Sequence, residues 1–143
     1  MIAVDTNLLV YAHRVDMAQH APATIALRAL AEGGQPWAIA WPSVHEFFAV
    51  VTHTRFKPPS PPRLAWLAIR NIVASPSLRL IGEGIDHLQW LARFIGRGDV
   101  RGAMIHDARI AAICLAHGVN ELWTADRDFS RFPELKTHNP LTA

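Results

Sequence analysis

The chain begins with the apolar run Met1-Ile2-Ala3-Val4, which leads directly into the polar segment Asp5-Thr6-Asn7. Four apolar residues bounded by polar ones are typical of a buried β-strand. Asp and Thr are favoured where helices begin, and helical spacing starts at about Leu8. A buried strand that passes at once into a helix is the building unit of a parallel sheet.

The same alternation continues along the chain. Apolar runs with the length of buried strands are residues 37–41, 78–81 and 121–124, and a weaker edge strand is expected near 135–138. Helical patterns follow at residues 20–31, 42–53, 64–73, 85–95 and 104–117, and the proline-rich segment 55–62 is expected to be a loop. We therefore predict an α/β fold with a central parallel sheet between two layers of helices, a three-layer α/β/α sandwich formed by residues 1–143 as one domain.

Composition limits the cellular setting that we expect. Half of the 143 residues are hydrophobic, which is enough for one large core. Residues 1–4 are not preceded by a basic segment, and the apolar stretch 37–51 is interrupted by Pro42 and Glu46, so we expect neither a secretory leader nor a membrane span. A soluble cytoplasmic protein is the resulting expectation. The single cysteine, Cys114, lies in an apolar run and is expected to be core.

The charged residues give only weak evidence for a partner that contains phosphate. The chain carries 14 basic and 12 acidic residues, and 12 of the basic ones are Arg, whose planar guanidinium pairs well with phosphate oxygens. A formal charge of +2 is too small by itself to predict a nucleic-acid partner. If four acids were neutralised by bound cations, 14 basic residues would face only eight acidic ones.

Four acids fall where a parallel sheet gathers its functional groups. Asp5 follows the first strand, Asp126 follows the strand 121–124, and Glu46 and Asp107 are expected in the first turns of helices. The carboxyl ends of parallel strands and the helices that follow them lie along one edge of the sheet. Asp107 also shares a helical face with the apolar residues Ile110 and Cys114, so its side chain should point toward the sheet.

Carboxylates brought together in this way repel one another by roughly 4 kcal/mol per pair at about 4 Å. They must therefore take up protons or bind cations. An all-oxygen site suits Mg²⁺ or Mn²⁺ better than zinc, and such cations promote phosphodiester hydrolysis.

Each acid also has a purely structural interpretation. Asp5 is suited to cap the first helix, Asp107 to complement a helix dipole, and Asp126 and Asp128 to form turns. Glu46 alone would be an ordinary surface residue, although its helix is apolar on nearly every side, which would also suit burial in an oligomer. Only the expected convergence of all four favours a catalytic centre.

Four segments resemble, in order, the acidic motifs of PIN-domain ribonucleases, and specifically of the VapC toxins of bacterial toxin-antitoxin pairs. They are Val4-Asp5-Thr6-Asn7, Ser43-Val44-His45-Glu46-Phe47, His106-Asp107-Ala108-Arg109-Ile110-Ala111-Ala112 and Thr124-Ala125-Asp126-Arg127-Asp128-Phe129. The resemblance implies a PIN-like α/β/α fold and Mg²⁺- or Mn²⁺-dependent cleavage of RNA. It also implies frequent homodimers and inhibition by a DNA-binding, VapB-like antitoxin.

The resemblance also assigns roles to individual residues. Catalysis and metal binding would fall to Asp5, Glu46, Asp107 and Asp126, and supporting roles to Thr6, Asn7, Thr124 and Asp128. Thr6 or Thr124 would orient carboxylates through hydroxyl hydrogen bonds, and Asp128 would support more than ligate. Arg109 departs from the small or apolar residue expected there, and either an ion pair or exposure to solvent would suit it.

Other features leave alternatives open. A phosphoacceptor receiver domain needs a lysine near its acids, and Lys57 and Lys136 fall in the proline-rich loop and the tail. A PIN-fold protein that binds RNA without cutting it is the second rival. A zinc-protease motif is rejected because Ala49 stands where the second histidine should be.

Substrate contacts are less clearly indicated than the acids. His106 would contact phosphate or cap its helix, and Arg55 and Lys57 are candidate RNA contacts. The strand tryptophans, at positions 37, 41 and 123, are expected to be core more than base-stacking residues.

Overall fold

A five-stranded sheet with every strand parallel to its neighbours runs through the centre of the protein, as seen in a computed structural model that describes residues 1–142. The strands are β1 (Ile2–Val4), β2 (Trp37–Ala40), β3 (Leu78–Ile81), β4 (Glu121–Trp123) and β5 (Lys136–His138). The helices are α1 (Thr6–His13), α2 (His20–Glu32), α3 (Trp41–Thr52), α4 (Pro62–Val73), α5 (His87–Gly96) and α6 (Met104–Ala116), with a short 3-10 helix at Arg127–Arg131.

The order of strands in the sheet is β3-β2-β1-β4-β5, which places the first strand at the centre. From β1 the chain moves to β2 on one side and later to β4 on the other, so the connections diverge on either side of β1. In parallel α/β sheets such a switch point opens a crevice at the carboxyl ends of the strands. Register supports this arrangement, because Val4 and Trp123 are paired as the last residues of their strands.

Two hydrophobic cores lie on opposite faces of the sheet, and the alternation of side chains along the strands separates them. Small residues such as Ala3 and Ala38 belong to one core with Phe94 of α5 and Ile113 of α6. Larger residues such as Val4 and Ile39 belong to the other, with α1, α3 and α4. The three-layer sandwich predicted from the sequence is thereby confirmed.

Helix α6 ends as its sequence predicts. Gly118 has a φ of 70°, a conformation that favours glycine over residues with a side chain. The amide of Val119 donates to the carbonyl of Cys114 at 3.0 Å, and the amide of Gly118 donates to Leu115. These two bonds form a Schellman motif, which stops α6 and turns the chain into β4. Cys114 itself is fully buried, as expected, and burial raises the pKa of its thiol to about 12.

Two predictions about apolar residues are wrong. Trp41 was expected in a buried strand, but α3 already begins there, with Pro42 in its first turn, and the indole is 44% exposed. The helix expected at residues 85–95 begins only at His87, so Ile85 lies ahead of α5 and is 98% exposed. In both cases a helix boundary differs by a few residues from the apolar pattern, and the side chain consequently faces solvent.

Among residues 1–142, no helix combines the length and apolar character required to cross a membrane.

Candidate active site

Asp5 is the most buried acid of the candidate site, with 7% of its surface exposed. It follows β1 directly and is the N-cap of α1, where its Oδ1 accepts a hydrogen bond from the amide of Thr6 at 2.8 Å. Its other oxygen, Oδ2, accepts from the hydroxyl of Thr124 at 2.7 Å. The capping interpretation of Asp5 is therefore correct, and it leaves the second oxygen turned toward the neighbouring strand.

Thr124 joins the ends of the two central strands. Besides donating to Asp5, its Oγ1 accepts from the amide of Asp126 at 3.0 Å and from the Asn7 side chain at 3.2 Å. The Asn7 carbonyl oxygen in turn accepts from the amide of Ala125 at 3.3 Å. This network fixes the backbone after β4 against the start of α1, which brings acids about 120 residues apart in sequence into one site.

Three further acids form a compact group. Asp107, Asp126 and Asp128 each present a carboxylate oxygen, and these oxygens lie within 4.8 Å of one another. Asp126 caps the 3-10 helix by accepting from the amide of Asp128 at 2.8 Å, which accounts for the turn-forming interpretation of both residues. Asp107 lies in the first turn of α6, as predicted.

Glu46 lies at the same site but not where it was expected. Because α3 begins at Trp41, Glu46 stands in the second turn of the helix and is exposed. It lines the same groove as Asp5, Asp107 and Asp126. Glu46 therefore lines the groove together with these acids but is not part of the compact group.

The pKa values of three carboxyls reflect this crowding. Burial raises the pKa of Asp5 to about 6, helped by the negative charges of Glu46 and Asp126 and opposed by its hydrogen bonds. Burial likewise raises the pKa of Asp107 to about 6, with Asp126 adding to the effect. For Glu46, burial is again the first cause of a raised pKa, followed by the charge of Asp107. The site therefore carries more negative charge than its own surroundings compensate.

Four of the acids, Asp5, Glu46, Asp107 and Asp126, line a groove of about 370 Å³. Thr6 contributes to its wall, and the hydroxyl of Thr6 is buried with no hydrogen-bond partner among residues 1–142. A buried hydroxyl normally finds a partner, so an unpaired one beside repelling carboxylates suits a bound cation with its hydration shell. The donor set contains only oxygen, which favours Mg²⁺ or Mn²⁺, and the residues present therefore fit such an ion.

The sequence pattern did not indicate the full role of two residues, and it left the role of a third undecided. Asp128 was expected to support the site, yet its carboxylate lies in the compact group. Arg131, at the end of the 3-10 helix, lowers the pKa of Asp107 and was not anticipated. The sequence signal for it was its position, five residues after Asp126 in the same segment. Arg109 pairs with Glu83 at 2.6 Å, one of the two outcomes foreseen for it.

The remaining candidates fall into two groups. His106 is exposed and lines the groove beside Asp107. Arg55 and Lys57 are exposed in the segment after α3, and neither is among the residues that line the groove, so their contact with RNA stays a prediction. Lys136 begins β5 and does not line it either. Without a lysine at the acids, the receiver interpretation loses its chemical basis.

Comparison with known proteins identifies the family. The PIN domain family model matches residues 2–135. Ribonuclease VapC43 of Mycobacterium tuberculosis is 36% identical over 143 residues, covering 99% of this chain and 96% of the relative. Ribonuclease VapC31 of the same species is 30% identical, covering 98% of this chain and 99% of the relative.

Solved structures share the fold. The chain superposes on Mycobacterium tuberculosis VapC20, described as a sarcin-ricin loop cleaving toxin, with a TM-score of 0.68 at 22% identity over 91% of this chain and 93% of the other. It superposes on a chain of Rickettsia felis VapBC2, solved with a promoter DNA fragment, with a TM-score of 0.69 at 20% identity over 97% and 98%. Taken with the family model and the curated relatives, the acidic groove at the end of a parallel sheet shows that this chain belongs to the PIN-domain family, within its VapC ribonuclease group.

Proposed function

We propose that the protein is an endoribonuclease that requires Mg²⁺ or Mn²⁺ and acts as the toxin of a type II toxin-antitoxin pair. The observation that carries this proposal is the convergence of Asp5, Asp107 and Asp126 on one groove, with raised pKa values for the first two. Relatives that match nearly the full length of the chain are named ribonucleases. RNA is accordingly the substrate class that we assign.

Asp107, Asp126 and Asp128 are the residues that we assign to hold the cation, because their oxygens already lie within 4.8 Å of one another. A bound hard cation polarises the phosphodiester, activates water and stabilises the leaving oxygen. Asp5 adds a carboxylate held in place by Thr124 at 2.7 Å. Glu46 faces the group from α3, where its carboxylate can orient an attacking water or complete the cation site.

Hydrogen bonds within the site keep Asp5 from turning away. Its Oδ1 is committed to the amide of Thr6, and its Oδ2 is oriented by the hydroxyl of Thr124. A carboxylate fixed in this way needs little reorganisation when cation and substrate bind, which is the usual source of catalytic advantage in preorganised sites. Thr6 and Thr124 thus act as positioning residues in the proposed reaction.

A protein partner is also part of the proposal. The structural relatives include Rickettsia felis VapBC2 and the FitAB complex, both solved on DNA. By this likeness we expect a small VapB-like antitoxin that binds DNA and inhibits this chain, and we expect the chain itself to form a homodimer. Purification from the native host should bring down the antitoxin, and a chain isolated repeatedly without any such protein would contradict the toxin role.

The decisive experiment is cleavage by matched carboxylate variants. Wild-type protein with Mg²⁺ or Mn²⁺ should cut structured RNA, whereas Asp5→Asn and Asp107→Asn should lose the activity while their circular dichroism spectra are unchanged. The control is Asp99→Asn, which removes an exposed carboxylate that does not line the groove. Sequencing RNA 5′ ends after induced expression should locate the cut sites.

Three results would each count against part of the assignment. Retained cleavage in both active-site variants would remove the carboxylates from the reaction. RNA binding by the wild type without cleavage under either cation would instead favour the non-catalytic PIN-fold alternative. Cleavage that persists in a chelating buffer would contradict the metal requirement alone.

A further inference from the structure

The groove extends beyond the carboxylates along two helices. On α1, Asn7 contacts the acidic site and Tyr11 follows four residues later on the same face. On α3, Glu46 and Val50 are likewise four residues apart on one face of the helix, and all four residues line the groove. The groove therefore continues by about one helical turn, 5.4 Å, away from the carboxylates.

This extension differs chemically from the acidic end. It is lined by Val10, Tyr11, Met17 and Val50, none of which carries a charge. Of the two basic residues nearest in sequence, Arg14 is committed to a bidentate pair with Asp16 at 2.8 Å, and His13 contacts Ser60 at 3.0 Å. A phosphate group would find no free cation on these walls, whereas a flat, uncharged ring would find apolar surface and an aromatic side chain.

Tyr11 is held in a position that suits such a contact. Its backbone carbonyl accepts from Nδ1 of His20 at 3.0 Å, which ties the last turn of α1 to the start of α2. Tyr11 is partly exposed and lines the groove. An aromatic ring on a fixed backbone costs little conformational entropy when a ligand stacks on it.

We propose that Tyr11, together with Val50 and Met17 of the same groove, is a subsite for the RNA base next to the scissile phosphate. The inference rests on the proposed nuclease function, because it places the phosphate at the carboxylates. A neutral base at the other end avoids repulsion by the acids, and unpaired bases in RNA are commonly recognised by stacking on aromatic side chains. The subsite therefore requires the substrate to be single-stranded or unpaired at that base.

The test separates stacking from packing with two substitutions at one position. Tyr11→Phe keeps the ring and loses only the hydroxyl, whereas Tyr11→Leu keeps apolar bulk and loses the aromatic face. Both are made in an Asp107→Asn background so that the probe is not cut. The probes are a fluorescein-labelled single-stranded oligoribonucleotide of mixed sequence and an abasic ribose-phosphate strand of the same length, with binding followed by fluorescence anisotropy in Mg²⁺.

Tyr11→Leu should weaken binding of the base-bearing probe roughly tenfold, about 1.4 kcal/mol. It should leave binding of the abasic strand unchanged. Tyr11→Phe should behave as the parent protein with both probes. The control Val15→Ala shortens a side chain just beyond α1 that is 79% exposed and does not line the groove, so it should change neither affinity.

The outcomes distinguish this inference from the proposed function. Equal binding of the base-bearing probe by Tyr11→Leu and its parent overturns the subsite, as does an equal loss with both probes or the absence of base-dependent binding in the parent. None of these results contradicts the nuclease proposal, because that proposal depends on cleavage of RNA by the wild type. Conversely, a wild type that binds bases through Tyr11 but cuts no RNA would refute the nuclease proposal and leave only a base-binding site at Tyr11, with no scissile phosphate beside it.

Discussion

Replacing Asp5 by Asn is expected to abolish activity and at the same time to stabilise the metal-free protein at neutral pH. The pKa of Asp5 rises from 3.8 to about 6 on folding, chiefly because burial disfavours the charged form. At 1.36 kcal/mol for each pKa unit, holding this carboxylate ionised costs about 3 kcal/mol above the folded pKa. Asn is nearly isosteric and carries no charge, so the cost disappears.

Part of that gain is offset by hydrogen bonding. An Asn oxygen can still accept from the amide of Thr6, but its amide group cannot accept from the hydroxyl of Thr124, which donates to Asp5 at 2.7 Å. Losing or rearranging one hydrogen bond costs about 1 kcal/mol. The expected net stabilisation of Asp5→Asn at pH 7 is therefore about 2 kcal/mol.

The effect should depend on pH in a defined direction. A carboxyl with a raised pKa favours folding fully below its unfolded value of 3.8, and this contribution is lost as the pH rises through about 6. Asp5→Asn should thus exceed the wild type in stability above pH 6 and lose that advantage below about pH 4. Added Mg²⁺ should stabilise the wild type more than Asp5→Asn, because the variant lacks one of the carboxylates at the proposed cation site.

Urea unfolding followed by the fluorescence of the five tryptophans, in a chelating buffer at several pH values, measures this difference. Asp99→Asn, which removes an exposed charge, should stay within about 0.5 kcal/mol of the wild type. A destabilised Asp5→Asn at neutral pH, or a difference that does not change with pH, would falsify the argument that burial and repulsion strain this carboxylate.

Two further predictions concern residues that hold the site and its surroundings in place. Thr124→Val removes the hydroxyl that donates to Asp5 and should raise the pKa of Asp5 further above 6 in the metal-free protein, whereas Thr124→Ser keeps the donor and should leave that pKa unchanged. An NMR titration of the Asp5 carboxyl carbon measures the pKa in each variant. Equal pKa values in the two variants would contradict the positioning role of Thr124. Arg14 is 7% exposed and donates to the carbonyls of Pro58 at 2.7 Å and Lys57 at 3.2 Å. Arg14→Met should therefore lower the free energy of unfolding by about 2–3 kcal/mol and speed proteolysis within residues 53–61. An unchanged rate of proteolysis in this segment would show that other contacts hold it in place.

The sequence predicted most of the fold because its strands are short apolar runs followed by polar caps. Asp5 illustrates this, since one residue could be assigned both to the end of β1 and to the cap of α1, and the structure bears out both assignments. Asp107 could be placed inward from helical periodicity alone, because it shares a face with buried Ile110. Local patterns of this kind need no knowledge of the partners across the sheet.

Features that depend on tertiary geometry were not accessible in the same way. The position of Asp128 among the acids follows from the 3-10 helix at Arg127–Arg131, which the sequence did not indicate. The ion pair of Arg109 with Glu83 joins α6 to the segment after β3. Glu46 was placed one turn too early because the Trp-Ala-Ile-Ala-Trp run hides the boundary between β2 and α3. Packing, not propensity, decides such boundaries.

The central position of β1 has a consequence for synthesis of the protein on the ribosome. Asp5 is made 119 residues before Thr124, the threonine that orients it, and Asp126 and Asp128 follow Thr124 along the chain. A growing chain therefore lacks the complete set of acids until β4 and the 3-10 helix have emerged and β4 has paired with β1. The proposed nuclease would be inactive while that stretch is translated, and this interval is available for an inhibitor to be made.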